Sequence, residues 1–398
     1  MKQSPVLLSI IIVSYNTREL LEKCLDSVIK SLAGSNLKSN QEKILNQVQD
    51  EANRNRHSDS SGRHPDPAKG GANRHPDESQ DLSLSLTQIP DQVRNDSFQV
   101  RYPDSSHRHP DDPPAGGQDL PAEIIVVDNN SRDDSVEMLE NLKLKLKNSM
   151  KIENLKLKII VNNDNTGFAK ANNQGIKIAE GKYVLFLNPD TIVLPETLPF
   201  MLEFMKKNPA VGVATCRVEL VDGKLDEACH RGFPTPWNAF CHFSGLEKLF
   251  PHSRLFAGYY LGYLDLNTTH EIDSCVGAFM LVPRLVGEKI GWWDEDYFWY
   301  GEDIDFCYRV KKAGFKVMFV PKVKIIHYKG ASSGIKKTKS KADFKTQEKA
   351  MLASTQAMRI FYQKHYRGKY PKPVEKLVFW GISLLEKARV RKIKKQNG

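Results

Sequence analysis

The chain has 398 residues, 40% hydrophobic and 27% charged, with 5 Trp and 18 Phe. That composition excludes a wholly disordered, collagen-like or disulfide-scaffold protein and holds enough apolar material for a sizeable core. At about 150 residues per domain the length suits two or three domains. The formal charge of +10 favours anionic partners, which admits nucleic acid, phosphate-bearing substrates and acidic membrane surfaces.

The first apolar run, Val6 to Val13, lacks a small-residue cleavage site and leads directly into Ser14-Tyr15-Asn16. It is read as a buried strand rather than a signal peptide. Thr17 is expected to cap the next helix, where Leu20, Leu21, Cys24, Leu25, Val28 and Leu32 recur at helical spacing. Composition then changes over about 34–121, a stretch rich in Asp, Ser, Pro, Asn, Arg and His whose only aromatics are Phe98 and Tyr102. Arg-His-Pro-Asp occurs there at 63–66, 74–77 and 108–111. Such a segment buries too little apolar surface to offset its ordering entropy, so it is expected to be a low-complexity disordered insertion. With it excised, the first strand and helix join Glu123–Asn130 as an ordinary strand–helix–strand unit. A chain lacking 36–119 is therefore expected to fold and to retain most of its turnover, as circular dichroism and an activity assay would show.

Glu123–Val127 is the second strand, and Ser131 is expected to cap a helix that runs to about Leu146. The Leu-Lys alternation at 142–147 and 155–158 blurs its end. Ile159–Val161 and Tyr183–Leu187 are the third and fourth strands, with helical patterns at about 168–180 and 195–207. Strands alternating with helices imply a parallel sheet whose ligands bind at the carboxyl ends of the strands. Those ends carry Ser14-Tyr15-Asn16, Asp128-Asn129-Asn130-Ser131, Asn162-Asn163-Asp164-Asn165 and Asn188-Pro189-Asp190. Each alone reads as a turn or a helix cap. Four at one sheet edge make a binding cleft the better reading.

The six cysteines include no C-x-x-C pair, which suits a reduced setting. Cys229-His230 and Cys241-His242 repeat a Cys-His pair, but at a looser spacing than zinc sites use.

Residues 6–33 and 122–330 resemble the family-2 inverting glycosyltransferases of the GT-A type, nearest in pattern to the rhamnosyltransferase-like branch. The strings that carry the resemblance are SIIIVSYN (9–16), VVDNNSRDDS (126–135), NNDNTGFAKANNQGI (162–176), LFLNPDT (185–191) and GEDIDFCYRVKKAG (301–314). The resemblance implies a GT-A domain over 1–33 and 122–340, with a mostly parallel central sheet flanked by helices. It leaves 341–398 as a helical, basic extension.

It also implies roles for individual residues. Tyr15, Asn16 and Asn130 would line the donor nucleotide pocket, and Asp128 would accept a hydrogen bond from the base N–H. Gly167 and Phe168 would let the backbone approach the donor, with Asn172 and Asn173 facing the same way. Asn188 and Asp190 stand where most members carry Asp-x-Asp. Asp190 would hold Mg²⁺ or Mn²⁺ against the diphosphate, and Asn188 would contact the donor. His327 would be a metal or diphosphate contact, with Lys329 and Ser332 nearby. Asp303 would be the catalytic base that takes the acceptor hydroxyl proton. Trp299 and Glu302 would bind acceptor, and the aromatics from Trp292 to Tyr300 offer faces on which a sugar stacks.

The implied partners are a nucleotide-diphosphate sugar, in this branch dTDP-rhamnose, and a polysaccharide or lipid-linked glycan acceptor. The tail carries Val378-Phe379-Trp380 and Ile382 to Leu385 ahead of Lys387, Arg389, Arg391, Lys392, Lys394 and Lys395. This pattern suits either an anionic membrane interface or a docked terminal helix with a solvated charged end. The expected location is cytoplasmic, with the tail as a contact to the inner face of the plasma membrane.

Three rival readings are weaker. A nucleotidyltransferase calls for a Gly-rich, basic loop after the first strand, which Ser14-Tyr15-Asn16 is not. A degenerate, non-catalytic GT-A protein is suggested only by the insertion. In a basic nucleic-acid-binding protein the charge would be interleaved with stacking aromatics, whereas here it gathers near the C-terminus. No nucleic-acid partner is expected.

Overall fold

The computed structural model describes residues 6–33, 120–147, 155–329 and 344–397, with backbone alone for 344–351 and 392–397. The insertion expected at 34–121 lies outside the described residues but for its last two positions, and Ser332 lies outside them as well.

Four strands build the first half of one sheet: β1 (Leu8–Ser14), β2 (Ala122–Asp128), β3 (Leu155–Val161) and β4 (Tyr183–Leu187). They run parallel in the order β3-β2-β1-β4. β1, β2 and β4 are buried almost throughout, which explains their unbroken apolar runs. β3 lies at the edge and is only partly buried. There Lys156 and Lys158 alternate with Leu155 and Leu157, so the strand begins four residues before the expected Ile159.

The crossovers are α1 (Arg18–Leu32), α2 (Ser135–Lys147) and α3 (Phe168–Ile178). α1 buries Leu21, Cys24, Leu25, Val28 and Leu32 against the sheet, the face its spacing predicts. Two expected caps are corrected. The Thr17 hydroxyl shares a hydrogen bond with Ser14 Oγ (3.0 Å), and the Arg18 amide at the start of α1 donates to Asp133 Oδ2 (2.9 Å) instead. Ser131 does not start α2, which begins four residues later; its Oγ accepts from the Asn16 amide (2.9 Å). In both places the loops after β1 and β2 cap each other, a partnership that local spacing cannot reveal.

Beyond β4 come β5 (Thr191–Val193), α4 (Thr197–Lys207), β6 (Val211–Leu220), α5 (Pro236–Ser244) and α6 (Leu246–Leu249). They are followed by β7 (His270–Ile272), β8 (Phe279–Pro283), α7 (Arg284–Ile290), α8 (Glu302–Lys312) and β9 (Lys316–His327). β8 is antiparallel to β4 and joins the two halves, β6 and β9 are parallel, and β5 and β7 flank β9 antiparallel. The sheet is thus parallel through its first half and mixed beyond. The apolar runs at 316–320 and 323–326 are one strand with a register shift opposite Cys216/Arg217. Pro321 sits in that shift, because it has no N–H to give the ladder. The sheet flanked by helices agrees with the GT-A architecture that the resemblance implies, but it is more mixed than the mostly parallel sheet expected, because β5, β7 and β8 all pair antiparallel.

The C-terminal extension is a helical hairpin of α9 (Phe344–His365) and α10 (Lys372–Asn397). Phe361, Tyr362 and Tyr366 form an aromatic cluster with Phe233 and with Ile304 and Tyr308 of α8. His365 Nε2 lies 2.6 Å from Asp305 Oδ1, so α9 is fastened to the helix that opens with Glu302-Asp303. Burial disfavours the Asp305 charge, but His365 and Arg309 outweigh it and hold the carboxyl below its ordinary range.

Candidate active site

Register sets the cleft. Ser14 pairs with Asp128, and Asp128 with Val161, so the loops after β1, β2 and β3 leave the sheet in one row. Leu187 pairs with Ile12, which brings Asn188 and Asp190 out beside the same row. Asn16 and Asn130 take left-handed backbone (φ 52° and 69°), which Asn tolerates better than most residues. Asn16 Oδ1 accepts from the Arg132 amide (2.8 Å), so this side chain ties the two loops together. Tyr15 and Asn130 are half-buried on the crest of those loops. Asp128 is fully buried; Oδ1 accepts from the Ser131 amide (2.9 Å), while Oδ2 has no hydrogen-bond partner among the described residues. A buried carboxylate oxygen without a partner is costly unless a ligand donor meets it.

The second group converges on His327. β9 ends there between β5, where Thr191 is its register partner, and β6, where Leu220 is. After Leu220 the chain turns back through Gly223, and Asp226 donates its amide to the Val218 carbonyl (2.8 Å). That return places Asp226 Oδ2 3.0 Å from His327 Nδ1, and Lys329 bonds the other oxygen. On the far side, His327 Nε2 lies 3.2 Å from Asp190 Oδ1 and 3.5 Å from Asn188 Nδ2. The Asp190 oxygen is buried, and this contact is an ion-pair distance without hydrogen-bond geometry. Burial opposes a charged His327, but Asp190 and Asp226 overcome it and raise the imidazole to about 9. Asp226 is held well below the ordinary carboxylate range: burial is again outweighed, here by His327 and Lys329.

The third group opens α8. Tyr300 and Gly301 both have left-handed backbone (φ 69° and 83°), and this tight turn delivers Glu302 and Asp303. A side chain at Gly301 would also press on Ala357 of α9, 3.0 Å from its Cβ. Asp303 Oδ2 accepts from Arg231 Nη2 (2.7 Å) and Oδ1 from the Ile304 amide (2.8 Å), with both partners of the ion pair buried. Burial opposes the Arg231 charge, but Asp303 outweighs it and raises the guanidinium above its ordinary value. Beside them Glu302 is buried, with Oε2 unpartnered among the described residues. Burial first, and the Asp303 charge second, push the Glu302 carboxyl from 4.5 up to about 8. A carboxyl raised in the folded state destabilises the fold progressively as pH rises through that window, because the unfolded chain ionises first. Glu302→Gln is therefore expected to be more stable than wild type at pH 8, with the gap closing toward pH 4. In thermal denaturation across pH each 1 kcal/mol should read as about 2–4 °C.

Several expected site residues have other duties. Gly167 (φ 85°) has a packing duty of its own. A Cβ there would lie 2.7 Å from the Phe298 carbonyl, so the glycine permits close packing on the segment before α8. The Phe168 ring packs edge-on to Trp293 (5.4 Å). Asn172 is buried and donates to the Phe168 carbonyl one turn back (2.9 Å), and Asn173 clamps the main chain of Trp293 from both sides. Trp293 is core, whereas half-buried Trp299 stacks parallel on Tyr300 at 5.6 Å. The Cys-His pairs do not meet. His230 faces His270 (2.7 Å) and is lowered to about 4, chiefly by burial, while His242 bonds Glu247 (2.8 Å). Among the described residues no three His, Cys, Asp or Glu side chains are grouped to hold a metal unaided.

Sequence reasoning missed Asp226 and Arg231. One short segment, 226–231, supports both chemical groups: its first residue orients His327 and its last holds Asp303.

Rhamnosyltransferase WbbL of Escherichia coli (strain K12) is 30% identical over 152 residues, 38% of this chain and 53% of that protein. Poly-beta-1,6-N-acetyl-D-glucosamine synthase of Staphylococcus aureus (strain COL) is 24% identical over 204 residues, 50% of this chain and 41% of that protein. The chain thus spans about half the length of these curated relatives. Among solved structures, mannosyltransferase PcManGT from Pyrobaculum calidifontis in complex with GDP-Man and Mn2+ is 13% identical with a TM-score of 0.45, over 98% of this chain and 76% of that one. Residues 117–266 match the profile of Glycosyl transferase family 2.

Proposed function

We propose that the protein transfers a sugar from a nucleotide-diphosphate donor to a glycan acceptor hydroxyl with inversion at the anomeric carbon. One observation carries this reading: Asp190 Oδ1, buried and without a hydrogen bond, faces an imidazole nitrogen whose ring is fixed from behind by Asp226. A carboxylate and a histidine braced by a second carboxylate form the donor set of a divalent-cation site. Asp190 and His327 would hold the cation, and the diphosphate oxygens of the donor would complete its shell. The mixed oxygen and nitrogen set suits Mn²⁺ better than Mg²⁺. When bound, the cation neutralises charge on the leaving diphosphate.

The chain's own residues do the rest. Asp128 Oδ2 accepts the N–H of the donor base, with Tyr15 and Asn130 beside it. Asp303 takes the acceptor proton as the hydroxyl oxygen bonds to the anomeric carbon and the bond from that carbon to the diphosphate breaks. Arg231 and the Ile304 amide fix the Asp303 carboxylate in place, and Trp299 offers a face to the acceptor sugar. Similarity to a rhamnosyltransferase favours rhamnose as the sugar; in this reading it is carried on a thymidine diphosphate and moved to a polysaccharide or lipid-linked glycan at the cytoplasmic face of the membrane. Calorimetry with thymidine, uridine and guanosine diphosphate sugars, with and without Mn²⁺, tests the reading. Metal-dependent binding of the thymidine donor is expected; no binding by any donor to folded protein would overturn it.

A further inference from the structure

Between Arg231 and Ser274, which pair through their backbones, the chain leaves the sheet and returns. Gly232 donates to the Tyr259 carbonyl (2.8 Å), so the excursion is closed at its neck. Inside it, buried Glu247 accepts from the Tyr260 amide (2.7 Å) and pairs with His242, which locks α5 and α6 together. What the lock presents outward is apolar. Trp237, Phe240, Phe243, Leu249, Phe250 and Leu255 are all exposed, and they make up six of the fourteen exposed large apolar side chains among the described residues. Part of the patch is joined ring to ring: Trp237 contacts Phe240 (5.7 Å) and Phe256 (6.2 Å), and Phe256 contacts Phe250 (5.2 Å). The Trp237 indole N–H donates to the Leu255 carbonyl (2.7 Å), so its one polar atom is already satisfied within the patch.

An exposed aromatic patch of this size marks an interaction surface. The charges around it select the partner. Lys248 and Arg254 are exposed in the same segment, and from residue 228 to 264 the only acidic residue is Glu247, which is buried. Among the described residues no helix is long and apolar enough to cross a membrane, so any lipid contact of this surface is interfacial. We propose that the surface of α5, α6 and the 250–256 loop docks in the interface of an anionic bilayer, with the aromatics below the headgroups and Lys248 and Arg254 on the lipid phosphates. This goes beyond the sugar-transfer reading and does not depend on it. α10 carries exposed apolar side chains of its own, Leu377, Trp380 and Leu384.

Full-length protein would be sedimented with vesicles of phosphatidylcholine alone and of equimolar phosphatidylcholine and phosphatidylglycerol. Wild type is expected to partition to the anionic vesicles with a blue shift in Trp fluorescence. Phe240→Ser/Phe243→Ser/Leu249→Ser should lower partition by about 100-fold. Lys248→Glu/Arg254→Glu, which leaves the apolar contacts in place, should lower it at least about tenfold and only on anionic vesicles. Leu377→Ser/Trp380→Ser should retain most of the binding. Equal partition of wild type and the triple variant would overturn the proposal. So would a wild-type dimer in light scattering that the triple variant dissociates while neither protein binds vesicles, since the occupant would then be a second copy of the chain.

Discussion

Asp303→Asn is expected to lower kcat by about 10²–10⁴-fold, the range that general-base assistance contributes. The substitution keeps the side-chain volume and removes the oxygen's capacity to take a proton. It also leaves Arg231, buried and bonded to that oxygen at 2.7 Å, without its counter-charge. Removing one partner of a buried pair costs about 3–5 kcal/mol, so a lower Tm accompanies the lost turnover. Asp303→Glu separates the two effects. It retains the charge opposite Arg231, so stability should stay near wild type, but the longer arm displaces the proton acceptor and turnover should still fall. Steady-state kinetics with thermal denaturation of both variants decides the matter. Full activity in Asp303→Asn would move the base role to Glu302, the other buried carboxyl at the start of α8.

The parts of this site that local sequence announces are those that leave a strand. Buried parallel strands read as β-branched runs, and Asp128 and Asp190 follow such runs directly. The Gly301-Glu302-Asp303 turn is equally local, since Gly supplies the left-handed residue before the helix. Asp226 and Arg231 are different. Their duties depend on a turn returning along β6 and on a bridge to Ser274, contacts with no trace in spacing or periodicity. Between 217 and 270 only the two Cys-His pairs stand out locally, and neither signals Asp226 or Arg231. Of the strands between β4 and β9, β5 and β7 have three residues each and too little pattern to count, whereas β6 and β8 are ten and five residues long and went unrecognised. Thr17 and Ser131 look like caps, yet Thr17 bonds back to Ser14 and Ser131 accepts from Asn16 across the two loops, the latter a case of tertiary contact overriding local preference.

Asp226→Asn is expected to weaken Mn²⁺ affinity by about 10–100-fold, the usual effect of removing a carboxylate behind a ligating histidine. Asp226, His327 and Asp190 act in that order. Asp226 fixes the ring through Nδ1 at 3.0 Å, and only then does Nε2 point at Asp190 Oδ1. Asparagine can still meet Nδ1, but it no longer orients the ring with a full charge, and Lys329 loses its ion-pair partner. Asp190→Ala removes a ligand itself and should abolish the metal dependence of donor binding. Mn²⁺ titrations with saturating thymidine diphosphate, on protein shown folded by circular dichroism, separate the two roles. A graded loss in Asp226→Asn and a complete one in Asp190→Ala would fit a braced ligand. If Asp226→Asn melted earlier but bound Mn²⁺ as tightly as wild type, Asp226 would serve only to close the β6 turn onto β9, and His327 would be oriented by Asp190 alone.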